Sequence, residues 1–84
     1  MNRDDERARG VQAKRLLDDP LLSEAFREIE SRYTSVWRDS APSQKGEREE
    51  AYSALFALKQ LRQQLQNYLE TGRLAAFIPE DQQE

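Results

Sequence analysis

The side chains of this chain that could take part in chemistry are carboxylates, amines, guanidinium groups, hydroxyls and phenols. The sequence has no histidine and no cysteine, which excludes imidazole bases, thiol nucleophiles and the common ligand sets of zinc and iron–sulfur clusters. Carboxylates that are adjacent in the sequence could serve as a general acid and a general base. Such pairs are Asp4-Asp5, Asp18-Asp19 and Glu49-Glu50.

Each of these carboxylate pairs lies at the end of a predicted helix, where capping and the helix dipole account for it. The sequence also lacks a phosphate-binding glycine loop, a nucleophile elbow and a calcium-loop pattern. We therefore expect a protein that is not an enzyme and that holds no metal and no cofactor.

The composition is that of a small and very polar protein. Hydrophobic residues make up 37% and charged residues 35% of the 84 residues. A chain of this size buries a small fraction of its surface, so we expect one domain whose stability depends on a partner or on self-association.

The distribution of charge and of apolar residues bears on the class of partner. The net charge is −3 and the two signs are interspersed, so no dense stripe of basic residues could neutralise phosphates, and nucleic-acid binding is disfavoured. No stretch approaches the ~20 apolar residues of a membrane span, and the N-terminus lacks the apolar core of a signal peptide. We expect a soluble intracellular protein that binds proteins and not membranes.

Two predicted helices precede a loop. The first covers about residues 4–18, and the second covers about residues 20–39 with Asp19 as its cap and Pro20 in its first position. Apolar residues of the second helix recur with a 4-3-4-3 spacing, which is typical of a coiled-coil seam. They are Leu22, Phe26, Ile29, Tyr33 and Val36, with Leu21, Ala25 and Trp37 on either side. Tyr33 and Trp37 are therefore expected in the core.

The third predicted helix, about residues 46–71, is the longest. Its apolar residues share one side, and they are Ala51, Ala54, Leu55, Leu58, Leu61, Leu65, Tyr68 and Leu69. A loop containing Pro42 precedes this helix, and Gly72 is predicted to end it as a left-handed C-cap. The predicted fold is all-α, an antiparallel helical hairpin domain in residues 1–72 with a short N-terminal helix, followed by an extended C-terminal tail in residues 73–84.

Three residues of the third helix are candidates for a protein interface. Phe56 lies about 160° from Leu58, with Tyr52 beside it, on a face that a hairpin would leave in water. Arg62 lies inside the apolar side, where its stem could pack while its guanidinium group reaches Glu30 or a partner.

The segment after Gly72 supplies three further candidates, Leu74, Phe77 and Ile78. They could fold back over the open end of the hairpin, and for Leu74 this interpretation is favoured because the residue lies close to the predicted C-cap. Phe77 and Ile78 precede Pro79, and for them an extended segment that docks on a neighbouring protein is equally open.

The segments "AKRLLDDPLLSEAFREIESRYTSVWRDS" and "REEAYSALFALKQLRQQLQNYLETGRLA" resemble small helical proteins of tailed bacteriophages and prophages. The resemblance covers about residues 13–75. It lies in the Leu-Leu-Asp-Asp-Pro entry to the second helix, Trp37-Arg38 at its close, Arg48-Glu49 at the start of the third, and Gly72. It implies a phage product encoded among structural and packaging genes, generally without an assigned activity, and it transfers no catalytic or binding residue.

We expect a non-enzymatic protein–protein interaction module, a small virion or head-assembly component. It would be found in the host cytoplasm or in the virion. Its partner would be a second copy or a larger phage structural protein. One alternative is a phage regulator whose acidic surface binds and inhibits a host protein. Another is a DNA-packaging adaptor, an oligomeric ring that concentrates scattered basic residues. These residues are Arg7, Arg9, Lys14 and Arg15.

Overall fold

Residues 2–77 form three α-helices in the computed structural model, which describes this part of the chain. Helix α1 is Arg3–Asp18, helix α2 is Pro20–Asp39 and helix α3 is Lys45–Phe77, so the predicted all-α class is confirmed. The chain divides into two compact units, Met1–Asp19 with Gln63–Glu84, and Pro20–Arg62. Helix α3 therefore contributes residues to both units.

Helix α1 begins with a side-chain cap and stops one residue before α2. The Oδ1 atom of Asn2 accepts a hydrogen bond from the backbone N–H of Asp5 at 2.9 Å, and acidic residues in the first turn favour the positive end of the helix dipole. At the other end, Asp19 has an extended backbone (φ −69°, ψ 122°). Pro20 then opens helix α2 at a position where its missing N–H leaves no hydrogen bond unmade.

The loop between α2 and α3, residues 40–44, is held by the side chain of Arg48 in α3 and by that of Gln44 in the loop itself. The Nη1 and Nη2 atoms of Arg48 donate to the carbonyl oxygens of Ala41 and Pro42, each at 3.3 Å. The backbone N–H of Ala41 donates to the side-chain oxygen of Gln44 at 2.6 Å. These contacts connect the first turn of α3 with the first half of the loop.

The buried core of the described residues is small. Its apolar members are Ala13, Phe26, Ala51 and Ala75. Phe26 is the one large side chain among them, and the rest of the α2 seam is half-buried.

The expectation that Trp37 lies in the core is wrong, because this residue is 53% exposed. It stands in the last turn of α2, where the polar side chains of Lys45, Arg48 and Glu49 are beside it.

The predicted end of the third helix at Gly72 is also wrong. Helix α3 continues through this glycine to Phe77, and among the described residues no glycine has a positive φ. Residues 73–77, which were expected in an extended tail, are therefore helical, and Leu74, Ala75 and Ala76 are good helix formers. Residues 78–84 lie outside the described residues.

Candidate protein interfaces

Helices α1 and α3 approach each other closely where Gly10 faces Gly72. A Cβ atom on Gly10 would lie 2.8 Å from the Cα atom of Gly72 and 3.1 Å from the carbonyl oxygen of Tyr68. A Cβ atom on Gly72 would lie 2.8 Å from the Cα atom of Gly10 and 3.0 Å from the carbonyl oxygen of Glu6. Because backbone atoms lie at these distances, a side chain could enter only if the two helices moved apart.

A shallow groove of about 220 Å³ lies beside this glycine contact. Its lining residues are Arg7, Gly10, Val11, Lys14, Leu69, Gly72, Arg73 and Ala76. The apolar floor is edged by basic side chains, each paired with an acid on its own helix. The pairs are Arg7–Asp4 at 3.3 Å, Lys14–Asp18 at 2.5 Å and Arg73–Glu70 at 3.6 Å. The sequence interpretation missed this groove, although small residues three positions apart recur in both helices, as Gly10 with Ala13 and Gly72 with Ala75.

Three arginines of α1, Arg3, Arg7 and Arg9, are partly buried. The guanidinium carbon of Arg9 lies 4.2 Å from the ring centroid of Tyr68, which is a cation–π contact. The Nη1 atom of Arg3 and the Nε atoms of Arg7 and Arg9 are buried and donate no hydrogen bond to any described residue. The stem of a partly buried arginine can pack on apolar surface while part of its guanidinium group stays in water, and the side chain of Arg7 is 42% exposed.

Tyr52 and Phe56 form an exposed aromatic pair on α3. Their ring centroids are 6.5 Å apart and their ring planes differ by 16°, a stacked arrangement across one helical turn. Tyr52 is 62% and Phe56 51% exposed. Trp37 and Tyr52 also line one open depression, so exposed aromatic surface from α2 adjoins that of α3.

Leu74 and Phe77 lie in the last turns of α3 and are 58% and 79% exposed. They were expected to fold back or to extend beyond the helix, but the helix itself carries them. Ile78, the remaining candidate of this segment, lies outside the described residues.

Arg62 contacts residues of its own chain. Its Nη2 atom donates to the Oε1 atom of Glu30, and its guanidinium carbon lies 4.9 Å from the ring centroid of Phe26. The ion-paired side chains are 40% and 42% exposed. This geometry agrees with the first of the two predicted alternatives for Arg62, and its role at an interface with a partner stays a prediction.

The ion pair of Arg62 with Glu30 should contribute little to stability, because both groups are partly solvated. We expect replacement of Glu30 with glutamine to lower the free energy of unfolding by less than about 1 kcal/mol. Urea unfolding of Glu30→Gln, Arg62→Gln and the double variant gives the coupling energy. A coupling energy well above about 1 kcal/mol would show that the pair is more shielded than its exposure implies.

The acidic pairs lie at exposed helix ends, and no group of histidine, cysteine, aspartate or glutamate in residues 2–77 could hold a metal ion. The hydrogen bond from Arg38 to the Asp39 carboxylate, together with the charge of that carboxylate, raises the pKa of Arg38 above its usual value. Arginine is charged near neutral pH with or without this shift. No helix in the described residues is long and apolar enough to span a membrane.

Comparison of the chain with protein-family models, with curated proteins and with solved structures found no match.

Proposed function

We propose that this chain is a non-enzymatic helical module that acts through protein–protein contacts, as a small virion or head-assembly component of a tailed bacteriophage. The observation that carries the proposal is the contrast between interior and surface. Among the described residues Phe26 is the only large apolar side chain that is buried, whereas nine large apolar side chains are between 48% and 79% exposed. Where such side chains adjoin one another, as Tyr52 and Phe56 do, the surface is typical of one that binds another protein.

The small core gives the same argument in energetic terms. Small domains bury a modest fraction of their surface and are marginally stable, and three of the four buried apolar residues here are alanines. Association would add apolar burial that the isolated chain lacks, and binding to the folded state raises its stability.

In this proposal helices α2 and α3 form the antiparallel hairpin that the sequence predicts. One contact and the length of the connecting loop support it. The ion pair of Arg62 and Glu30 joins residues 32 positions apart, and the connecting loop is only residues 40–44. The assignment to a phage rests on the resemblance of residues 13–75 to phage proteins. The chain would then be made in the host cytoplasm and carried into the particle.

Quantitative mass spectrometry of purified particles from the phage that encodes this chain tests the proposal. We expect its peptides in the particles at a ratio to the major capsid protein that is constant between preparations. Presence in the infected-cell lysate together with absence from the particles would overturn the proposal. That result would favour the regulator that binds a host protein.

A further inference from the structure

Helix α3 carries a row of exposed residues that runs along most of its length, and we name it the outer stripe. Its members are Tyr52, Phe56, Lys59, Gln63, Asn67, Glu70, Leu74 and Phe77, and all of them are exposed. They are three or four positions apart throughout, so at 100° per residue they lie within about 40° of one line along the helix. The stripe extends for about 37 Å at the rise of an α-helix.

The order of residue types along the outer stripe is the same from either end. Two large apolar residues stand at each end, as Tyr52 with Phe56 and Leu74 with Phe77. Next to each apolar pair, toward the centre of the stripe, is one charged residue. The two residues at the centre have amide side chains. The charges are opposite in sign, with Lys59 at one position and Glu70 at the other.

We propose, resting on the function above, that the partner of the outer stripe is a second copy of this chain, with the two α3 helices antiparallel. If Tyr52 lies against Phe77 of the second copy, then Phe56 meets Leu74, Lys59 meets Glu70 and Gln63 meets Asn67 of that copy. Every contact occurs twice, because a two-fold axis crosses the stripe at the level of Leu65 along the helix, as in an isologous dimer.

Charge complementarity selects this partner and this direction. Lys59 makes no ion pair with any other described residue, and Glu70 makes only the exposed contact of 3.6 Å with Arg73. The antiparallel register brings Lys59 to Glu70 of the second copy in both halves of the dimer. A parallel register would place Lys59 on Lys59 and Glu70 on Glu70, which is repulsive.

The other layers fit the same register. Apolar pairs at both ends cover four large side chains of each copy that are now at least 51% exposed. The two amide side chains at the centre contact each other within one chain, where the Nε2 atom of Gln63 donates to the Oδ1 atom of Asn67 at 3.1 Å. A central polar layer of this kind fixes the register of paired helices at some cost in stability.

Cysteine cross-linking tests the register, because the natural chain has no cysteine. Two variants, Lys59→Cys and Glu70→Cys, are oxidised alone and as an equal mixture. We expect a disulfide-linked dimer mainly in the mixture, because in the proposed dimer the two copies of either position are about 16 Å apart. In each mixed dimer the natural Glu70 of one copy still meets the natural Lys59 of the other, so one of the two ion pairs remains. Efficient linking of Lys59→Cys to itself, or no linking in the mixture, would overturn the proposal.

Charge reversal tests the ion pairs. We expect Lys59→Glu or Glu70→Lys alone to weaken the dimer about tenfold at low salt, since each creates like-charge contacts in two places. The chain with both changes should regain most of the affinity in sedimentation experiments, while circular dichroism shows equal helix content for all variants. Equal dissociation constants for the wild-type chain and both single variants would contradict the register.

The failure of this inference is distinguishable from the failure of the proposed function. A chain found in particles whose cysteine variants do not link in the mixture retains its proposed function and lacks this dimer. A chain that links in the mixture and is absent from particles has this dimer and a different function.

Discussion

Replacement of Phe26 with alanine is expected to lower the free energy of unfolding by about 3 kcal/mol or more, the largest effect of any single change that we predict here. Phe26 is only 7% exposed and is the one large side chain buried among the described residues. Its ring also lies under the guanidinium group of Arg62, a contact that alanine cannot make. Because small domains have about 5 kcal/mol of stability or somewhat more, this loss removes most of it.

The matched control is Phe56→Ala, the same chemical change at a residue that is 51% exposed. In dilute solution we expect it to cost less than about 1 kcal/mol. Thermal and urea unfolding followed by circular dichroism compare the two variants at one protein concentration. Equal losses of stability would show that Phe26 is not the centre of the core.

Replacement of Gly72 with alanine is expected to destabilise the chain by about 1–2 kcal/mol, although alanine is the better helix former. In an open helix the change would gain about 1 kcal/mol. Here the new methyl group would lie 2.8 Å from the Cα atom of Gly10, so α1 and α3 must separate and lose packing. The midpoint of thermal unfolding should fall by about 5 °C or more.

Gly46→Ala is the control for Gly72→Ala, since a Cβ atom on Gly46 has nothing within 4 Å and the residue also lies in α3. We expect Gly46→Ala to leave stability unchanged or to raise it slightly. Hydrogen exchange should be faster in the amides of α1 for Gly72→Ala only. If both variants were stabilised alike, the close helix contact would be contradicted.

The starts of the helices could be predicted from the sequence because local chemistry determines them. Asp19 followed by Pro20 ends one helix and begins the next, and the segment around Pro42 breaks the second helix. The end of α3 could not be predicted in the same way. Glycine favours a helix end when only local preferences act, whereas Gly72 lies in the helix and packs against Gly10, which is distant in the sequence.

The candidate interface was predictable only where the position of a residue on its own helix determines its exposure. The exposure of Tyr52 and Phe56 follows from their angle on the helix. The exposure of Trp37 does not, because a residue that flanks the seam is buried only if side chains of another element cover it. The outer stripe was not found because a helix that ends at residue 71 separates Leu74 and Phe77 from Tyr52 and Phe56.

Light scattering on the purified chain, over a wide range of concentration, tests most directly the central claim that its exposed apolar surface mediates association. The mass of one chain is 9.8 kDa. We predict that the wild-type mass rises toward twice this value as concentration increases, with Ala57→Ser unchanged and Phe56→Ser remaining a monomer with native helix content. A mass of one chain at every concentration, the same for all three proteins, would contradict the account.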